Sequence, residues 1–189
     1  MTDVSEIKKS LSKIHPYTDE QLSLFIGQLS FRSLKKKNFL LTENQVSEGI
    51  AYVINGSFRF FKKLDHGELT LNFFVENNWV ADLESLLSQQ PSMTYIEALE
   101  DSEIALISLV EIHRLMDIHS NFQKLNALVA DLTISTSYIA TISSKSPDER
   151  YKELLLKNPE WINRFPQKLI ASYLGMKPET LSRVRARLK

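Results

Sequence analysis

Cysteine is absent from the 189-residue chain, which removes disulfides, thiolate zinc sites, cysteine nucleophiles and cysteine-ligated iron–sulfur clusters together. Glycine is scarce: the five present form neither a phosphate-cradling loop nor a nucleophile elbow. His15, His66, His113 and His119 carry no zinc motif, so no metal site is expected. Paired acids such as Asp82 and Glu84 read as turn and cap residues. The inventory points away from an enzyme. Long apolar runs are missing as well. EIALISLV is far shorter than the ~18 residues that span a bilayer, and MTDVSEIKKS lacks the apolar centre of a secretory signal. A soluble, cytoplasmic protein without a membrane partner is expected. One stretch also lacks one sign of charge: Leu64 to His113 holds ten carboxylates and no lysine or arginine.

What is present suffices for a sizeable core, with 43% apolar and 10% aromatic residues. The net charge of zero hides an asymmetry. Residues 1–144 carry 12 Lys and Arg against 18 Asp and Glu, whereas residues 145–189 carry 11 against 5. A compact basic segment beside an acidic body suits a nucleic-acid contact confined to the C-terminus, because clustered cations are what displace phosphate counterions. A solvated charged face is the alternative reading of the same charges.

Along the chain, Val4, Ile7, Leu11 and Ile14, then Leu22, Phe25, Ile26 and Leu29, follow helical spacing on either side of HPYTD. From Phe31 to Ile107 the texture is that of short β-strands, which predicts a sandwich or barrel. Asn55-Gly56 predicts a tight hairpin with both residues at positive φ, and Asp65-His66-Gly67-Glu68 predicts a second. Helical texture returns at Ser108, where Ser108-Leu109-Val110-Glu111 reads as a capping box. From Ser120, a stripe of Phe122, Val129 and Thr136 with Leu125, Leu132 and Ile139 recurs every seven residues. It reads either as a parallel homodimer seam along a long helix, about 120–145, or as packing within one chain. SSKSPDER reads as a hinge, with Pro147 discouraging helix at Ser146.

The last residues, LIASYLGMKPETLSRVRARLK, fit a helix-turn-helix. Ala171 is the small residue at the contact, Gly175 supplies the turn, and Pro178 suits the first turn of the second helix. Ile170, Leu174, Leu181, Val184 and Leu188 supply the apolar surface. That arrangement leaves Glu179, Ser182, Arg183 and Ala186 on the opposite face. Arg183 suits a bidentate bond to guanine, and Glu179 suits cytosine N4 or the orientation of Arg183.

Strand-rich roll, long helix, hinge and terminal helix pair together resemble the Crp/Fnr superfamily of bacterial transcription regulators over nearly the whole chain. Glu179-Thr180-Leu181-Ser182-Arg183 matches that family's E-x-x-S-R recognition-helix pattern, and ERYKELL at 149–155 is also similar. The resemblance implies an α+β fold. Its parts are an N-terminal double-stranded β-helix (jelly-roll, cyclic-nucleotide-binding-like) domain with the long dimerisation helix over 1–145, and a small helix-turn-helix domain over 146–189. It implies a homodimer on promoter DNA, with RNA polymerase as a further partner. Glu179, Thr180, Ser182 and Arg183 are the candidate DNA-reading residues. The family's wing after the recognition helix has no counterpart before Lys189, which leaves backbone contacts to Arg185, Arg187 and Lys189.

Cyclic-nucleotide receptors of the family carry a Gly-Glu pair, and about ten residues later an Arg-Ser or Arg-Thr pair for the phosphate. Aligned without gaps, this chain has Ala81-Asp82 and Ser92-Met93 there. With the arginine missing and the stretch acidic, a buried phosphate is strongly disfavoured, and cyclic AMP with it. A pocket lined by Phe73, Trp79, Ala81, Asp82, Leu83, Leu86, Ser92, Met93 and Tyr95 suits an unidentified, less anionic small-molecule effector. These residues read alternatively as core, and Trp79 and Leu83 read as core first. A small-molecule or protein-interaction module of this fold without specific DNA binding is the competing functional reading.

Overall fold

The computed structural model describes residues 4–128, 132 and 145–188. These form two compact units, one of residues 4–59, 73–128 and 132, the other of residues 60–72 and 145–188. In the first, α1 (Ser5–Ile14) buries Ile7 and Leu11. It stops at His15, whose backbone is extended, as the following Pro16 demands. Then α2 (Asp19–Gly27) opens with a capping box. The Thr18 hydroxyl accepts from the Gln21 amide at 3.2 Å, and Gln21 Oε1 accepts from the Thr18 amide at 3.0 Å.

Eight strands follow: β1 (Ser30–Leu34), β2 (Phe39–Leu41), β3 (Gly49–Asn55), β4 (Phe58–Leu64), β5 (Gly67–Phe74), β6 (Trp79–Val80), β7 (Tyr95–Ala98) and β8 (Ser102–Ser108). They make two four-stranded sheets, in the orders β1-β8-β3-β6 and β2-β7-β4-β5. Except for the β4–β5 hairpin, each strand lies in the other sheet from the one before it, which is the winding of a jelly roll. The strand β8 is antiparallel to both neighbours, with Ser30 opposite Leu106 and Ile50 opposite Ile107. Gly49 to Val53 are all buried, so β3 reads as a continuous apolar run where a half-exposed strand would alternate.

Two turns differ in kind. Asp65-His66 joins β4 to its sheet neighbour β5, with Gly67 at φ +115°, as the sequence predicts. Asn55-Gly56 does not close a hairpin: β3 and β4 belong to different sheets, and only Gly56 takes positive φ, +92°. Contacts to distant residues hold this crossover. The Gly56 amide donates to Glu76 Oε1 at 2.9 Å and the Ser57 amide to Ser102 Oγ at 3.2 Å. Local turn chemistry marks a reversal but does not say which sheet receives the next strand.

A short helix, α3 (Leu83–Ser88), separates β6 from β7, and α4 (Leu109–Ile118) follows β8. At its start Ser108 Oγ accepts from the Glu111 amide at 3.1 Å. From Ser120 to Leu125 the chain is a 3₁₀ helix. Phe122, Leu125 and Leu132 are buried within the chain itself, Phe122 stacking on Tyr17 with centroids 5.5 Å apart. Val129, Thr136 and Ile139 lie outside the described residues.

In the second unit are α5 (Pro147–Lys157), α6 (Trp161–Arg164), α7 (Gln167–Tyr173) and α8 (Pro178–Arg187). Ser146 caps α5 with Pro147 at its first position, and the Glu149 carboxylate accepts in return from the Ser146 amide at 2.7 Å. Trp161 is the aromatic centre, 6.0 Å from Phe165 and 5.4 Å from Tyr173. The 60–72 hairpin belongs to this unit. Ser172 Oγ accepts from the Thr70 amide and donates to the Glu68 carbonyl, both at 2.9 Å. One hydroxyl thus satisfies two backbone groups of the sheet-edge strand β5.

An added Cβ at Gly56 would lie 2.2 Å from Ser102 Oγ, whereas at Gly67 it meets open space. Gly56→Ala is therefore expected to lose about 3 kcal/mol from clash and backbone strain, and Gly67→Ala about 1 kcal/mol from strain alone. Urea unfolding compares them, and equal losses refute the account. A second expectation concerns Glu149, whose carboxyl is held below the usual glutamate range by hydrogen bonds from the Ser146 hydroxyl and amide. Its contribution to α5 is complete above the ordinary glutamate pKa and lost as pH falls through the depressed folded value. An NMR titration of the Ser146 amide should show a midpoint below that of the isolated peptide; a midpoint at or above the peptide's would contradict it.

Candidate functional site

The connection between α7 and α8 is built from the backbone up. The Met176 amide donates to the Ala171 carbonyl at 2.9 Å and the Gly175 amide to the Ser172 carbonyl at 3.1 Å. With Gly175 at φ +61°, this is a Schellman ending, in which glycine takes the left-handed position at no Cβ cost. Lys177 then returns to extended backbone, and Pro178 occupies the first position of α8. Ala171, fully buried, sits with buried Ile170, Leu174, Leu181 and Val184.

A second device holds the turn. Arg150 on α5 donates from Nη1 to the carbonyls of Leu174 at 2.8 Å and Gly175 at 3.2 Å, and from Nε to the carbonyl of Lys145 at 2.9 Å. The guanidinium thus ties the start of α5 to the carbonyls left open at the end of α7. Sequence reasoning did not single out Arg150. It stands within the quoted ERYKELL run, yet its carbonyl partners lie 24 and 25 residues away. Beside it, Glu153 is held below the usual glutamate range by hydrogen bonds from Lys145 and Lys157.

On α8, Leu181 and Val184 face inward while Glu179, Ser182, Arg183 and Ala186 are exposed. Thr180 and Arg185 are half-buried. One exposed face therefore brings Glu179, Ser182 and Arg183 together, with Arg183 Nε 3.4 Å from the Glu179 carbonyl. Arg187 has a partner within the unit: its Nη2 donates to both carboxylate oxygens of Asp148, at 2.7 and 2.9 Å. Both side chains are substantially exposed, so the pair is weak and exchangeable. Lys189 lies outside the described residues.

At the other candidate site, Ala81 and Asp82 lead into α3. Asp82 is buried and caps that helix, accepting from the Ser85 amide at 3.2 Å. Its other oxygen accepts from Ser92 Oγ at 2.6 Å and Thr94 Oγ1 at 2.8 Å. The carboxylate is thus an internal anion joining the start of α3 to the segment entering β7. The other candidate pocket residues scatter. Trp79 lies in the core against α1 and α2, its indole donating to Ser10 Oγ at 2.9 Å and its ring 4.9 Å from Tyr52 and 6.2 Å from Phe25. Burial pushes the Tyr52 phenol up to about 12, with Glu6 adding to it, so Tyr52 stays protonated and donates to Asn77 Oδ1. Phe73, Leu83 and Leu86 are buried, Tyr95 is half-buried, and Met93 is 78% exposed. Arg59, just outside the stretch without cations, is buried on β4.

A cavity of about 470 Å³ opens elsewhere in the first unit, lined from both sheets by Leu41, Val80, Ala81, Ile96 and Leu106. Arg32 and Glu48, an ion pair, also line it. Of the pocket residues proposed from sequence, Ala81 lines this cavity.

Residues 31–119 match the cyclic nucleotide-binding domain family. Among curated proteins, the transcriptional regulatory protein btr of Bordetella pertussis is 26% identical over 136 residues, 64% of this chain and 55% of that protein. The chain thus spans little more than half the length of that relative. Among solved structures, FixK2 from Bradyrhizobium japonicum aligns with a TM-score of 0.71 and 22% identity, covering 85% of this chain and 84% of that one. The c-di-GMP responsive global regulator CLP of Xanthomonas campestris aligns with a TM-score of 0.68 and 17% identity, covering 90% and 91%. Roll and helix pair together define a class, a cyclic-nucleotide-binding-type domain and a helix-turn-helix in one chain. The chain has the fold of these solved structures, and its residues 31–119 match the cyclic nucleotide-binding domain family. Among the described residues no helix is long and apolar enough to cross a membrane.

Asp82 holds three hydrogen bonds in a buried site, so Asp82→Ala removes the cap of α3 and leaves the Ser92 and Thr94 hydroxyls with only each other and the Thr94 backbone. A loss of about 2–4 kcal/mol is expected in urea unfolding. A loss below 1 kcal/mol would show that the network is incidental.

Proposed function

We propose that the protein is a homodimeric, sequence-specific DNA-binding transcription regulator, acting in the cytoplasm at promoters together with RNA polymerase. One observation carries the reading: a glycine-turn helix pair, clamped by Arg150, presents Glu179, Ser182 and Arg183 on one exposed face. In a major groove, Arg183 donates to guanine O6 and N7. Glu179 accepts from cytosine N4 or orients Arg183, and Thr180 and Ser182 contribute hydroxyls. Arg185, Arg187 and Lys189 meet phosphates, with Arg187 exchanging the Asp148 carboxylate for a phosphate oxygen. Two copies place their recognition helices one duplex turn apart, about 34 Å.

The sensor has diverged from cyclic-nucleotide binding. Ala81-Asp82 and Ser92-Met93 stand where a nucleotide receptor supplies glutamate and arginine, and the Asp82 carboxylate already takes the Ser92 hydroxyl and the start of α3. A phosphate brought there meets a like charge. The effector is accordingly a small molecule of lower negative charge than cyclic AMP.

Fluorescence anisotropy with promoter duplexes from the source genome tests the reading. Arg183→Ala should abolish the preference for an operator over a scrambled duplex, about 1–3 kcal/mol. Arg187→Ala should weaken both duplexes alike and reduce the slope of log K against log salt by about 1. Failure of the unaltered protein to bind any promoter fragment at low salt overturns it.

A further inference from the structure

The cavity of the roll carries matched charges at its rim. Arg32 on β1 and Glu48 just before β3 form an ion pair with side chains 43% and 53% exposed, and both line the cavity. Leu41, Val80, Ile96 and Leu106, all buried, form apolar walls. A volume of about 470 Å³ is that of a small-molecule site. The rim restricts what enters. An anion placed on Arg32 is brought against the Glu48 carboxylate, and a cation placed on Glu48 is brought against the Arg32 guanidinium. Each arrangement sets like charges together or leaves one member of the pair without its partner. A molecule with ammonium and carboxylate on one carbon meets both, closing a ring of four alternating charges with no net charge added. Its remaining surface meets aliphatic walls, with Gln45 and Ser47 also in the lining.

The geometry points to a free α-amino acid with a large apolar side chain as the ligand of this cavity. Its carboxylate lies on Arg32, its ammonium on Glu48, and its side chain against Leu41, Val80, Ile96 and Leu106. The inference rests on the reading of the roll as a sensor of a weakly charged effector, and it names the chemical class. Occupancy has a short route to α3. Ala81 lines the cavity and adjoins Asp82, and Ser47, on the same rim as Glu48, donates its amide to Ser85 Oγ in α3 at 3.0 Å.

Calorimetric titration of the full chain with L-phenylalanine and L-leucine tests this against N-acetyl-L-phenylalanine, which lacks the ammonium, L-phenylalaninamide, which lacks the carboxylate, and cyclic AMP. The free amino acids are expected to bind, and each blocked form at least tenfold more weakly, as loss of a charge-assisted bond requires. Arg32→Met and Glu48→Gln should each weaken phenylalanine by a similar factor, and Arg32→Met should also erase the discrimination against the amide. Blocked forms binding as tightly as the free amino acids, cyclic AMP binding in preference, or no amino acid binding at all overturns the proposal. The comparison among ligands holds even where a variant fails to fold. No DNA is present in these titrations. A chain that binds duplex but ignores amino acids refutes this inference alone, and one that binds amino acids but no duplex refutes the regulator reading alone.

Discussion

The geometry of the exposed face of α8 depends on how α7 ends between Ala171 and Gly175. A helix ends there with open carbonyls, and the chain must reverse within two residues while the small side chain of Ala171 lets the helices touch. Gly175 provides the left-handed step, the Met176 and Gly175 amides close the Schellman pair, and Arg150 takes the carbonyls of Leu174 and Gly175. Without that step, α8 would leave α7 in another direction. Leu181 and Val184 would then lose their burial, and Glu179 and Arg183 their common outward face. A guanidinium suits the clamp because its planar fork reaches several acceptors at once, which an ammonium does not.

Four helices and the 60–72 hairpin form one unit, with Ser172 satisfying two backbone groups on the edge of β5. A segment of this size buries a modest fraction of its surface alone, so the hairpin supplies both surface and hydrogen-bond partners. In the roll, the Asp82 carboxylate has a comparable organising role. It caps α3 and gathers Ser92 and Thr94, so the negative charge at this corner belongs to the protein.

The helix pair was legible because its requirements are local. A small residue, a glycine four positions on and a proline opening the next helix each constrain the backbone within one turn, and the apolar spacing of Leu181 and Val184 separates inner from outer face. The β-rich texture of the roll was legible for the same reason. Asn55-Gly56 was not read correctly: the dipeptide favours a reversal, but Glu76 and Ser102, far along the chain, receive it between sheets. The cavity of the roll was legible only in part. Trp79 and Phe73 have the composition of a pocket lining, yet they are used as core, while the cavity is walled by Leu41, Val80, Ile96 and Leu106, from strands far apart in the chain.

The sequence by itself determined the inventory and the local syntax. It holds no thiol, its acidic stretch has no cation, and its basic terminus carries the E-x-x-S-R pattern on a helix whose period separates outer face from core. These follow from composition and from interactions within about four residues. Only the tertiary structure decided which distant groups meet: Arg150 with the α7 carbonyls, Ser172 with β5, Arg187 with Asp148, and Arg32 with Glu48 at the cavity rim. Such pairings depend on how sheets and helices stack, which is settled by burial summed over the whole unit, and no single segment encodes that sum.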